Sequence, residues 1–326
     1  MGAVNSVLSQ DFPRHLYEVI VVKNFRDEFI DSELRELGVT YLCSASKGIG
    51  AKVAESLELA EGEAISFLED DDLFLPGKLE AVNAAFEAGV DYYHSGLSVI
   101  DGRGRELARE GGPSYLVSEG DKVRFERFME LNHVWHSASA AAVRRSIIDV
   151  RALREVQVSP DLFYFLEALL RGRSLFLDGR PLTAFRVGGS SLGAPSGSES
   201  FSSSFARARE AFLKDALFMA DLTAGTPYSG LAEGYAAAHR LRLSVARGEA
   251  PSADTLRALA TYARHFYLGI PPRAYSPVLH RGALVSSLAF HAVLPLAPRW
   301  VKGLATSYIR GSLSRLLSTR PQRRAL

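Results

Sequence analysis

Four consecutive acidic residues, Glu69, Asp70, Asp71 and Asp72, follow the apolar run of residues 64–68 and precede Leu73, Phe74, Leu75 and Pro76. Like charges ~4 Å apart repel by roughly 1 kcal/mol in water and by several times that near a protein surface. A buried strand that ends this way calls for something positive. A divalent metal at the carboxyl end of a parallel strand, where α/β proteins place their ligands, meets that demand. The competing reading is a solvated acidic turn. The position at a strand-to-helix junction, rather than on a helix face, favours the metal.

The first 190 residues alternate short β-rich runs with helical patterns, the signature of βα units. Candidate strands cover residues 18–23, 40–43, 64–68 and 92–100, with a later pair at 174–177 and 182–187; a run of small residues at 138–143 reads as one more. Helices fall at 27–36, 50–60 and 76–88, the last starting with Pro76 and carrying Leu79, Val82 and Phe86 on one face. The expected fold class is α/β, a mixed and mostly parallel sheet flanked by helices, followed by a C-terminal helical region. Residues 188–204 are dominated by Gly and Ser and read as a loop or linker, which puts a domain boundary near residue 195. A first domain of 1–195 and a helical, basic region of 196–326, with helices at 205–222 and 231–247, follow from that boundary.

Charge is divided between the two ends of the chain. After Asp254 there are 11 Lys and Arg residues and no acidic one; taking these from the total of 38 leaves 27 basic against 37 acidic residues before that point. Residues 282–298 are uncharged and apolar but short for a spanning helix and interrupted by Pro295 and Pro298. Residues 300–317 then place Trp300, Leu304 and Tyr308 on one face, with Lys302, Arg310 and Arg315 elsewhere. Such a basic amphipathic helix suits the surface of an anionic bilayer, against the alternative of an ordinary core-packing helix with a basic solvent face. No base-stacking or helix-turn-helix signature accompanies the charge, so nucleic acid is not an expected partner. The single cysteine, Cys43, excludes an intramolecular disulfide and fits a reducing compartment. No charged segment followed by an apolar stretch opens the sequence, which argues against a signal peptide. Together these features predict a cytoplasmic protein held peripherally at the inner face of the plasma membrane.

The order of motifs is more specific than any of these patterns. Ser6, Val7, Leu8, Ser9 and Gln10 open the chain, the strand around Val19–Val22 follows, and then come Ala60, Glu61, Gly62, Glu63, Ala64, Ile65, Ser66, Phe67, Leu68 and the acidic run, with Pro76, Lys78, Leu79 and Glu80 behind it. This succession, in order over residues 4 to about 192, closely resembles family 2 glycosyltransferases of the GT-A fold, whose pattern is S-V-L-x-Q, a strand, A-x-G-E-x-I-x-F-L-D-x-D-D, then P-x-K-L-E. The resemblance implies transfer of a sugar from a nucleotide-diphosphate donor to a hydroxyl acceptor, with inversion and with Mg2+ or Mn2+ as cofactor. The acceptor expected for a membrane-bound relative is a glycan or a lipid-linked group. A non-catalytic nucleotide- or glycan-binding relative is the alternative.

The same resemblance assigns residues. Asp71 aligns with the metal-binding aspartate, Asp72 with a neighbouring ligand, and Asp70 with a group near the ribose or phosphate. Asn24 and Phe25 occupy the strand end that touches the base, where relatives carry an acidic pair; an asparagine in a strand-end turn is the competing reading of Asn24. Gly48 lines up with the glycine opening the next helix, and Lys52 sits in that helix's first turns within reach of a phosphate, or faces solvent. Asp161, in Ser159, Pro160 and Asp161, matches the general base of the family, although Ser-Pro-Asp is also an ordinary helix start. Trp135 and His136, with His133, fall where the acceptor binds, and Trp135 is suited to stack on a sugar ring. The closing motif Thr183, Ala184, Phe185, Arg186 and Val187 is followed by Gly188 where relatives carry histidine. The family domain also begins with a strand ahead of the S-V-L-x-Q helix, so the true start is expected upstream of Met1.

Overall fold

The structure, a computed structural model, describes residues 1–121, 137–187, 201–250 and 252–257. Helix α1 (Gly2–Leu8) leads to strand β1 (Ile20–Lys23), helix α2 (Glu28–Glu36), strand β2 (Thr40–Cys43), helix α3 (Ile49–Leu59) and strand β3 (Ala64–Ser66). After the acidic run come β4 (Leu73–Phe74), α4 (Lys78–Glu87), β5 (Tyr92–Ile100), β6 (Glu106–Glu110), β7 (Tyr115–Val117) and β8 (Ala141–Arg144). A short helix α5 (Val150–Leu153), α6 (Pro160–Arg171), β9 (Leu175–Arg186) and two long helices, α7 (Phe201–Leu222) and α8 (Ser229–Arg247), complete the described chain.

Local chemistry explains the helix limits. The Asp27 carboxylate accepts from Phe29 N at 3.0 Å and Ile30 N at 3.1 Å, satisfying the first-turn donors of α2. At its other end Gly38 has φ +65°, and Val39 N closes on Leu34 O at 2.9 Å. The S-V-L-x-Q segment has a structural task. Ser6 Oγ accepts from Phe74 N at 3.0 Å, while the Gln10 amide donates to Leu75 O at 3.1 Å and accepts from Lys78 N at 3.0 Å. Both side chains therefore hold the segment that leaves the acidic run.

Two sheets result. β1 and β2 pair in parallel as a two-stranded unit, and a seven-stranded sheet runs β3-β8-β5-β9-β4, with β6 added to β5 and β7 to β9. The sheet is mixed and flanked by helices as expected, but less parallel than the βα alternation implied. Only β5–β9 is parallel within it, because β8 returns antiparallel between β3 and β5. The two expected strands at 174–177 and 182–187 are one strand with a bulge. Asp178 accepts from both the backbone N–H (3.0 Å) and the guanidinium of Arg180 (2.6 Å at Nη2), so the D-G-R-P stretch that reads as a break is looped out while pairing continues.

The alternation of β5 sorts the core. Tyr92 packs with Val143, Leu162, Phe165 and Leu166 on the α6 side, and Tyr93 with Val82, Phe86, Ala142 and Leu182 on the α4 side. Met219 of α7 and Tyr228, Leu231 and Ala232 around the start of α8 belong to the first of these clusters. The expected division near residue 195 therefore does not divide the core. Among the described residues no helix is long and apolar enough to cross a membrane. The apolar stretch 282–298 and the basic amphipathic stretch 300–317 lie outside the described residues.

Gly50 marks the tightest approach of α3 to α5. A Cβ there meets Leu153 O at 1.9 Å and Val156 O at 2.8 Å, both backbone atoms that cannot swing aside. Gly50→Ala is expected to destabilise the protein by at least about 1–3 kcal/mol, the usual scale of overpacking, read as a lowered midpoint in urea unfolding.

Candidate functional site

The acidic run forms the turn between β3 and β4. One carboxylate oxygen each from Glu69, Asp71 and Asp72 lies within 4.8 Å of the others. Asp72 is fully buried; its Oδ1 accepts from Arg186 N at 2.8 Å, and its Oδ2 is buried with no hydrogen-bond partner. An orphaned carboxylate oxygen facing two further carboxylates is costly, and a hard cation relieves it. The donor set is all oxygen, which fits Mg2+ or Mn2+ better than zinc. Asp70, by contrast, points outward and is exposed.

Burial pushes Glu69 up to about 8, assisted by the charges of Asp161, Asp72, Asp71 and Asp70. Asp72 rises to about 6 through burial, opposed by the Arg186 N–H and the Ser139 hydroxyl. Asp71 is raised by burial and then by Asp70. Each carboxyl thus resists ionising beside the others.

Asp161 acts on this group through its charge, which helps raise Glu69. It stands in the first turn of α6, where Pro160 suits the first position, and Leu162 N donates to its Oδ1 at 2.9 Å. Burial lifts it to about 6 against the pull of backbone N–H groups from Leu162, Ser137 and its own residue. Phe67, at the exit of β3, stacks flat on Tyr164 of α6 with centroids 3.9 Å apart, which fixes the strand end against the helix and leaves the Tyr164 hydroxyl buried close to Asp161 and Glu69. Ser137 has φ +70°, the one positive value at a non-glycine position among the described residues. Strain of this kind concentrates at functional sites.

The remaining expected residues separate into two groups. Asn24 and Phe25 are exposed at the end of β1 and share no hydrogen bond, ion pair or ring contact with the acidic turn among the described residues. What is buried there is Lys23, paired with Asp31 and donating to Phe25 O at 3.0 Å. Gly48 serves packing: a Cβ on it meets Val156 O at 2.9 Å, and the first donors of α3, Ile49 N and Gly50 N, already bond Gln157 O and Val156 O at 3.0 Å each. Those two donors are spent on the chain itself and are not available to a phosphate. Lys52 is half-buried on the same helix, and its charge acts on Glu55. Trp135, His136 and His133, like Gly188, lie outside the described residues.

Four residues around the site escaped the sequence reading. Glu69, read only as the first residue of the acidic run, offers a carboxylate oxygen beside those of Asp71 and Asp72. Arg186 braces the turn, its Nε donating to Asp71 O at 2.7 Å and its Nη1 to Asp101 O at 2.9 Å. Lys78 is wholly buried and donates to Ser95 Oγ at 3.0 Å and Ala140 O at 2.8 Å; Ser95 meets Thr183 at 3.2 Å, Thr183 donates to Ser139 O at 3.2 Å, and Ser139 Oγ accepts from Glu69 N at 3.0 Å. Burial lowers that lysine to about 7. Asp215 of α7, also buried, accepts from Gln157 N, Val158 N and Ser159 N at 2.7–2.8 Å, holding the chain that enters α6. The periodicity of α7 marked its apolar face but gave no sign of this carboxylate.

The shifted carboxyls set a pH dependence. Glu69 keeps its proton up to about 8 when folded but releases it near 4.5 when unfolded, so its contribution to stability is lost as pH rises between those values. In chelator, the melting temperature is therefore expected to fall from pH 5 to pH 8, with a shallower fall in Glu69→Gln. Added Mn2+ is expected to raise it more at pH 8 than at pH 5, because protons compete for the same oxygens. A melting temperature independent of both pH and Mn2+ would contradict the site.

Comparison with known proteins follows the motifs. The family model described as Glycosyl transferase family 2 matches residues 2–151. No curated protein matches the sequence. Among solved structures, TarS from S. aureus matches with a TM-score of 0.47 at 18% identity, over 88% of this chain and 50% of that one, so the chain spans half the length of that structure. With its mixed sheet, flanking helices and acidic turn after β3, the segment 2–151 is similar to glycosyl transferase family 2.

Proposed function

We propose that the protein is an inverting glycosyltransferase that moves a sugar from a nucleotide-diphosphate donor to an acceptor hydroxyl. The observation that carries this reading is the interaction of Asp161 with Glu69, a member of the Glu69, Asp71 and Asp72 cluster, which sets a candidate base beside a candidate metal site. Glu69, Asp71 and Asp72 would hold Mg2+ or Mn2+, which supplies neutralisation of the charge that grows on the departing diphosphate. Asp161, at about 6, is ionised at neutral pH yet basic enough to take the proton of an attacking hydroxyl. The hydroxyl oxygen attacks the anomeric carbon as the bond to the diphosphate oxygen breaks. Tyr164 and Phe67 wall the base side and limit water there. Asp70, exposed beside the ligands, is available to ribose or phosphate.

Loss of a general base costs typically 10²–10⁴ in rate. Asp161→Asn is expected to lower kcat by about 10²-fold or more with KM for the donor little changed. Asp71→Ala is expected to abolish both transfer and Mn2+-dependent donor hydrolysis. A screen of UDP-, GDP- and dTDP-sugars identifies the donor. The second reading, a non-catalytic nucleotide- or glycan-binding protein, is favoured by one feature: the donors at the start of α3 are consumed by the chain, leaving fewer groups for a nucleotide. Mn2+-dependent hydrolysis of any of these donors excludes it.

We further infer peripheral attachment to the inner face of the plasma membrane and a membrane-proximal or lipid-linked glycan acceptor, supported by the 11 basic residues that follow Asp254 without an acidic one. Flotation with anionic liposomes is expected, and deletion of residues 273–326 is expected to abolish it. Flotation unchanged by the deletion would remove this inference.

A further inference from the structure

Helices α7 and α8 face each other through a set of residues that the glycosyl-transfer chemistry above does not use. Phe205, Arg209 and Phe212 follow one another at i, i+4 and i+7 on α7; Tyr235, His239 and Arg242 do the same on α8. His239 stacks on Phe212 with centroids 4.9 Å apart and meets Tyr235 edge-on at 4.5 Å. The Arg209 guanidinium lies 4.9 Å from the ring centre of Phe205 and 4.7 Å from that of Phe212.

Three buried polar atoms in this cluster lack partners. His239 is 1% exposed, and neither ring nitrogen makes a hydrogen bond; Arg209 Nε is buried and equally unpartnered. Each such group costs about 1–3 kcal/mol when left unsatisfied, and a core histidine ordinarily finds at least one partner. Among the described residues no carboxylate compensates. The charges that act on His239 are those of Arg242 and Arg209, and those on Arg209 come from Arg242 and Tyr235. Glu210, the acidic residue next to Arg209, is paired outward with Arg247. Neither Arg209 nor Arg242 has an ion pair among the described residues, and both are half-buried, which leaves a way in from solvent.

We propose that Arg209, Arg242 and His239 form a subsite for a phosphate group carried by the acceptor. Two guanidinium forks match phosphate oxygens in pairs, the imidazole adds a neutral N–H donor, and the aromatic walls keep water from competing. The place in the fold assigns the group to the acceptor. The Tyr235 hydroxyl faces Ser159, the residue that opens α6, and feels the charge of Asp161. A phosphate seated here is therefore connected through Tyr235 to the helix start that carries Asp161. This assignment to the acceptor rests on the reading of Asp161 as the base.

Calorimetric titration of the full chain with inorganic phosphate, in chelator and at constant ionic strength, tests the subsite. Saturable binding is expected, weakened about tenfold or more in Arg242→Gln, the scale of one lost charge-assisted hydrogen bond pair. Arg209→Lys keeps the charge but loses the fork, and is expected to weaken binding while folding as the parent does by circular dichroism. Absence of saturable binding, or binding unchanged in both variants, overturns the subsite. Displacement of phosphate by UDP, GDP or dTDP with Mn2+ overturns its assignment to the acceptor. Asp161→Asn is expected to leave phosphate binding intact; if that variant also retained full transfer activity, the base reading would fail while the subsite stood.

Discussion

Repulsion among carboxylates at the end of β3 is the constraint that organises the rest of the molecule. Glu69, Asp71 and Asp72 are held close enough to share one ion, and Asp161 approaches them from α6. Nothing about such a group is self-stabilising, so the surrounding structure holds it from several directions. Arg186 grips the turn through its backbone and its guanidinium, Ser139 bonds Glu69 N, and Ser6 and Gln10 fasten the chain beyond it. Each contact ends on a backbone atom or on one carboxylate oxygen and leaves the remaining oxygens free to bind. The scaffold fixes the shape of the turn without neutralising it, as a preorganised ion site requires.

What the sequence made legible is what depends on local pattern. The strands of the first hundred residues and the helices between them follow from periodicity, and the acidic run from its contrast with the apolar strand before it. Asp161 was legible through its place in the motif order, and in the structure its charge acts on Glu69. Gly48 and Lys52 show the limit of this reasoning. A glycine at a helix start looks the same whether its neighbours cradle a phosphate or a carbonyl, and here Val156 and Gln157, more than a hundred residues away, take the donors. The part of Glu69 was equally hidden, because the path of a turn decides which of two adjacent acids points inward. The D-G-R-P bulge in β9 misled for the opposite reason: local turn chemistry was present and correct, but strand pairing resumed beyond it.

Long-range polar contacts account for the rest. Arg186, Lys78 and Asp215 occupy a strand, a helix start and a distant helix, with no shared motif, and yet all connect to the same site. Lys78 is the most deeply committed of them: its ammonium hydrogen-bonds Ser95 and Ala140, with Phe74 and Tyr93 within 5.5 Å, and a chain of hydroxyls runs from it to Ser139 beneath the acidic turn. The buried lysine thus helps fix the position of the strand residues under the turn without occupying the binding oxygens. Spatial convergence of this kind leaves no trace in spacing along the chain.

Asp215 changes what counts as the smallest working unit of this protein. Its carboxylate receives three consecutive amide protons at the threshold of α6, and Met219 beside it sits in the central apolar cluster. A shortened version cut at the glycine- and serine-rich stretch, the natural place for an engineer to stop, leaves those amides without their acceptor and bares the apolar surface that α7 covers. The minimal fragment worth expressing accordingly extends through the second long helix, to about Arg247.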